Sequence, residues 1–76
     1  MILMRFVDIL QQYAYGLLEE NTHFFATLGE CHLIYQNDEL YEVDNEGKRW
    51  TLSQQMLNKA FLNRTFIKKV AVNTNA

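Results

Sequence analysis

The chain has 76 residues, of which 49% are apolar and 21% charged, with a formal charge of -2, one cysteine and no proline. That length allows a single domain, 1–76, with a small core, and the composition excludes a disordered chain. The lone Cys31 excludes an internal disulfide and fits a reducing cytoplasm. The first apolar run, Met1–Met4, is far too short to span a bilayer, so no membrane partner is expected.

From Ile2 to Leu18 the apolar residues Ile2, Phe6, Ile9, Leu10, Tyr13 and Leu17 recur with the period of an amphipathic helix, and Gly16 stands near its expected end. After Asn21 the pattern changes to β-rich runs separated by turn residues: 22–28, 31–36, 39–44 and 48–52. Connections of two to four residues predict an antiparallel meander. Alternation along these runs places Phe24, Ala26, Leu28, Leu33, Tyr35, Tyr41, Val43, Trp50 and Leu52 on one face, with Trp50 as a core anchor. Ser53 caps a predicted short helix from Gln54 to about Ala60 that buries Met56, Leu57 and Phe61. A last strand follows over 65–72. The predicted fold class is α+β: an N-terminal amphipathic helix on a small, curved antiparallel meander of four to five strands, with a short helix before the last strand. Strand 65–72 lacks proline and is guarded only by Lys68 and Lys69, so it is the expected edge for pairing in a homodimer.

Charge is divided along the chain. Residues 1–47 hold all nine acids and one base, Arg5, whereas 48–76 hold six bases and no acid. Six of the seventeen residues from Glu30 to Glu46 are carboxylates: Glu30, Asp38, Glu39, Glu42, Asp44 and Glu46. Carboxylates spaced along a rigid sheet can imitate a row of phosphates and occupy a basic groove on another protein. Lys59, Arg64, Lys68 and Lys69, interleaved with Phe61 and Phe66, form the alternative, a basic segment for nucleic acid. Cys31 and His32 are adjacent on a strand and point to opposite faces, so with His23 nearby they do not make a metal or thiol site. No glycine-rich phosphate loop or nucleophile–base pair is present in the sequence, and neither catalysis nor a cofactor is expected.

The segments Phe6-Val7-Asp8-Ile9-Leu10 closing near Tyr15-Gly16, then Leu40-Tyr41, Trp50-Thr51-Leu52 and Leu57-Asn58 before a final apolar strand, make a layout that resembles small proteins encoded by phages and prophages of Gram-positive bacteria. Those proteins end in an acidic segment, whereas this chain ends in Phe66-Ile67-Lys68-Lys69-Val70. The resemblance implies a small non-enzymatic protein that binds and blocks a larger host machine, as phage-encoded inhibitors of bacterial immunity, anti-CRISPR proteins among them, do. The expectation is therefore an inhibitor of a host defence or nucleic-acid enzyme, acting in the bacterial cytoplasm through the acidic strand surface. The alternative is a nucleic-acid-binding accessory module.

Overall fold

The computed structural model describes residues 1–71. Strand β1 (Ile2–Arg5) leads directly into helix α1 (Phe6–Ala14), and strands β2 (Thr22–Ala26), β3 (His32–Gln36), β4 (Glu39–Val43) and β5 (Arg49–Thr51) follow. A 3-10 turn at Gln54–Met56, helix α2 (Lys59–Leu62) and strand β6 (Thr65–Lys69) complete the chain. The α+β class is as expected, with six strands because residues 2–5 are extended rather than helical.

The helix starts late because its cap is at Arg5. The carboxylate of Asp8, in the first turn, accepts the backbone N–H of Arg5 at 3.2 Å, which fixes the entry point there. It ends in a Schellman motif: Gly16 N–H donates to Tyr13 O, Leu17 N–H donates to Gln12 O at 2.9 Å, and Gly16 takes φ +69°. The β3–β4 hairpin turns on Asn37 and Asp38, both at positive φ, the geometry that a two-residue primed turn demands. The single helix expected at 54–60 is broken into two pieces. Ser53 Oγ caps the 3-10 turn through Gln55 N–H, and Asn58 Oδ1 caps α2 through Phe61 N–H.

All six strands pair antiparallel in the order β1-β6-β2-β3-β4-β5. Strands β2 to β5 are the expected meander. The chain then crosses back and inserts β6 between β1 and β2, so 65–69 is an interior strand and the edges are β1 and β5. Within the expected pairing edge at 65–72, Thr65–Lys68 pair with β1 and Phe66–Lys69 with β2, so β6 is not an open edge; Val72 lies outside the described residues.

Residues paired across strands share a face. One row runs Ile2, Lys68, Phe24, Leu33, Glu42, Trp50. Phe24 and Leu33, at its centre, are fully buried beneath α1, with Phe6, Ile9 and Phe66. Phe6 packs edge-on against Phe61 at 4.9 Å. The ends of the row are bare: Ile2 is 53% and Trp50 50% exposed. A nine-residue helix is about 13 Å long, and six strands span about 24 Å. The helix runs from Phe61 and Phe66 at its start to Tyr35 and Glu39 at its end, which leaves β5 uncovered. Trp50 is therefore not the core anchor. The two-residue turn at 37–38 also shifts the register so that Leu40, not Tyr41 or Val43, enters the core. Leu17, Leu28 and Leu57 are exposed as well.

Truncation of Phe24 to Ala should cost about 3–5 kcal/mol, as for other buried aromatics. Trp50→Phe, which removes one exposed hydrogen bond, should cost about 1 kcal/mol or less. Urea denaturation of the two variants checks this contrast, and equal losses would contradict the placement of Trp50.

Candidate functional site

The six carboxylates lie at two ends of the sheet. Glu30, Glu42 and Asp44 line one cleft of about 560 Å³ with Gly29, Cys31 and His32, and Glu46 sits in the adjoining β4–β5 turn. Asp38 and Glu39 are at the opposite end of β4, about 16 Å away by strand geometry. Several are tied down. Asp44 Oδ1 accepts the backbone N–H groups of Lys48 (2.8 Å) and Glu46 (2.9 Å), and Asp44 Oδ2 accepts Trp50 Nε1–H at 2.9 Å. The Trp50 indole and these amides hold the Asp44 carboxyl below its ordinary range. Tyr13 O–H donates to Glu39 Oε2 at 3.0 Å and Tyr35 O–H to Asp38 Oδ1 at 3.3 Å. The Cys31 thiol faces Glu42 at 4.0 Å, and burial, with the Glu42 charge, pushes its pKa up, which makes it a poor nucleophile.

The four cations of the basic segment face different ways. Lys59 is on α2. Lys68 belongs to the helix-side row and reaches Gln12 Oε1 at 3.5 Å. Lys69, one residue on, is on the opposite face, with its ammonium 5.5 Å from the Phe25 ring. Arg64 is a structural clamp: Nη2 donates to Leu28 O at 2.6 Å across the β2–β3 connection, over the Phe61 ring. Gly29 suits the position because its φ is +73°, and a Cβ there would displace that guanidinium, 2.9 Å away.

The sheet face away from α1 is a different surface, and no described element covers it. One row crosses all six strands as Leu3, Ile67, Phe25, His32, Val43, Arg49, and a second runs Lys69, His23, Ile34, Tyr41, Thr51. These rows hold two cations and no carboxylate. Acids flank these rows: Glu39 pairs with Gln36 one step beyond Tyr41 and bonds to Tyr13, and Glu30, Glu42 and Asp44 share a cleft with Phe25, His32 and Val43. The guanidinium of Arg49 lies 4.9 Å over the Tyr41 ring. Among the described residues neither Arg49 nor Lys69 makes an ion pair.

Within this face His23 Nδ1 and His32 Nε2 meet at 2.7 Å, on neighbouring strands. The ring planes differ by 24°, and Phe25 lies nearly parallel to His32 at 4.4 Å. Burial, and then the neighbouring His23, push the His32 pKa below the usual 6.5. Cys31 and His32 diverge as expected of adjacent strand residues. The pairing of His23 with His32 depends on a diagonal across the β2–β3 ladder, which only the register of a tight connection reveals. Beside the pair, Asn21, Phe25, Lys69, Val70 and Ala71 complete a shallow hollow of about 270 Å³. No group of three or more His, Cys, Asp or Glu side chains with metal-holding geometry occurs among the described residues. No helix of the described residues is long and apolar enough to cross a membrane.

No family model, curated protein or solved structure matches the chain. The surfaces themselves therefore carry the functional reading.

Replacing Arg64 by Gln should lower stability by about 1–3 kcal/mol through the lost charged hydrogen bond, measured by denaturation. A neutral result would show that the β2–β3 connection holds without it. The depressed His32 pKa has a second consequence. The unfolded chain binds more protons than the folded one as pH falls below 6.5, so stability should drop on acidification in that range. His32→Gln should flatten the slope of melting temperature between pH 7 and 5.

Proposed function

We propose that this protein is a non-enzymatic binding module that takes single-stranded nucleic acid on the uncovered face of its sheet. The observation that carries the reading is the segregation of charge. In a chain of net charge -2, the two open rows hold Arg49 and Lys69 with no acid, beside the part-exposed rings of Phe25, Tyr41, His23 and His32. Unpaired bases stack on aromatic side chains, while cations neutralise the phosphates between them. An antiparallel sheet with its helices on one side presents such groups in a row, on strands about 4.8 Å apart. The nucleic-acid alternative is thus carried by residues other than the basic C-terminal segment as a whole, of which only Lys69 contributes.

A second reading has its own observation. Glu30, Glu42 and Asp44 surround one open cleft, a site able to receive a basic side chain of a protein partner. On that reading the protein inhibits a host defence or nucleic-acid enzyme, the activity that the phage-like layout implies.

Fluorescence anisotropy with a labelled twelve-nucleotide oligothymidylate separates the two. Arg49→Glu with Lys69→Glu should abolish binding, and Phe25→Leu should weaken it about tenfold, within the stacking range of ~1–3 kcal/mol per base. Lys59→Gln should change it less than about twofold, since Lys59 lies on α2, off the face. Wild-type affinity should fall with salt as counterions are released. Absence of binding at 100 mM salt, or binding indifferent to Arg49 and Lys69, would overturn the nucleic-acid reading. Loss of a captured protein partner on Glu30→Gln with Glu42→Gln alone would favour the inhibitor.

A further inference from the structure

The facing imidazoles of His23 and His32 have a proton stoichiometry that the rest of the face does not. Their 2.7 Å approach requires one proton between Nδ1 of His23 and Nε2 of His32. When both rings are neutral, the donor ring keeps a bare outer nitrogen and the acceptor ring carries its proton on the outer nitrogen. The pair then offers one donor and one acceptor, and no charge. If one more proton is taken from solvent, both outer nitrogens become donors and the pair carries +1, with the inner hydrogen bond intact. A second added proton would set two N–H groups against each other and open the pair. Neither outer nitrogen has a hydrogen-bond partner among the described residues.

The surroundings suit an anion once that first proton is bound. Lys69 on β6 is directly across from His23, and its ammonium has no carboxylate partner among the described residues. From β4, Tyr41 is the titratable neighbour in the same row, and Asn21, just before β2, lines the hollow with His23. The carboxylates nearest His32 are Glu30, Glu42 and Asp44, at the cleft beyond the end of β3. Of these, Glu42 pairs with Leu33 on the helix-side face. The hollow beside the pair has apolar walls from Phe25, Val70 and Ala71, which strengthens a charge-assisted hydrogen bond.

We propose that His23 and His32 form a proton-gated site for a phosphodiester of single-stranded nucleic acid, with Lys69 as the fixed charge. The gate closes on phosphate when the pair takes up a single proton and relaxes when that proton leaves. Uptake of that proton makes binding strengthen as the solution is acidified, and burial of His32, then the charge of His23, opposes protonation of His32 itself. The site rests on the nucleic-acid reading above.

The test has three arms on the full chain. Long-range proton–nitrogen NMR of the imidazoles should show one pair proton shared at pH 7.5, and uptake of one proton by the pair as a unit before any second. Oligothymidylate affinity at constant ionic strength should rise about three- to tenfold from pH 7.5 to 5.5, as one added charge near a phosphate predicts. His32→Gln, which keeps a polar side chain on the strand, should remove the rise in affinity between pH 7.5 and 5.5, whatever the lost ring costs in affinity at neutral pH. Equal wild-type affinity at both pH values overturns the gate while the nucleic-acid reading stands. If the oligonucleotide binds at neither pH, that reading fails and inorganic phosphate decides the site. Perturbation of the His23 and His32 rings by phosphate at pH 5.5 but not 7.5 supports it, and no perturbation at either pH overturns it. Independent titration of the two rings overturns it in every case.

Discussion

A nine-residue helix has to cover a sheet of six strands, and the shortfall decides most of what this molecule presents to solvent. Buried area is greatest where α1 crosses β6, β2 and β3, around Phe6, Ile9, Phe24, Leu33 and Phe66. At the two edges the same row of side chains runs out of cover, so Ile2 and Trp50 are half exposed. The opposite face has no cover from any described element. It cannot be solvated as a plain hydrophobic sheet, and its rings are instead packed with cations and imidazoles: Arg49 over Tyr41, Lys69 over Phe25, and the histidine pair beside Phe25.

The division of charge along the chain has a spatial counterpart, though not as two opposing faces. The acids sit mainly in the turns and at the ends of strands, where backbone amides and hydroxyls bind them: Asp44 closes its own turn, Asp38 takes the Tyr35 hydroxyl and Glu39 takes that of Tyr13. Carboxylates in such positions do structural service for the hairpins they close. The cations are dispersed by strand alternation, which sends Lys68 and Lys69 to opposite sides of β6. A net surplus of acid in sequence is therefore compatible with two cross-strand rows that have none.

What was legible in the sequence is what local chemistry determines. Asn37-Asp38 and Gly47 marked their hairpins, Gly16 its helix end and Ser53 its cap, because each answers to a backbone requirement within a few residues. The start of α1 was misread because Ile2 to Met4 fit a helical stripe as well as a strand, and the deciding partner, β6, is more than 60 residues away. Trp50 looked like a core residue by size and alternation. Whether a helix reaches far enough to cover it is a matter of tertiary placement. The histidine pair was invisible for a similar reason: sequence spacing shows that Cys31 and His32 diverge but not that the β2–β3 register brings His23 to within 2.7 Å of His32.

Insertion of β6 between β1 and β2 also sets an order of events during synthesis. The meander β2–β5 can close by local hairpins as it emerges, each loop only a few residues long. β1 has no partner until β6 has been made, so Ile2 and Leu3 and the outer edge of β2 stay unpaired through most of translation. Joining them then requires a contact of very high sequence separation, the slowest kind to form. The nascent chain therefore spends its most aggregation-prone interval with two open strand edges and no proline in either.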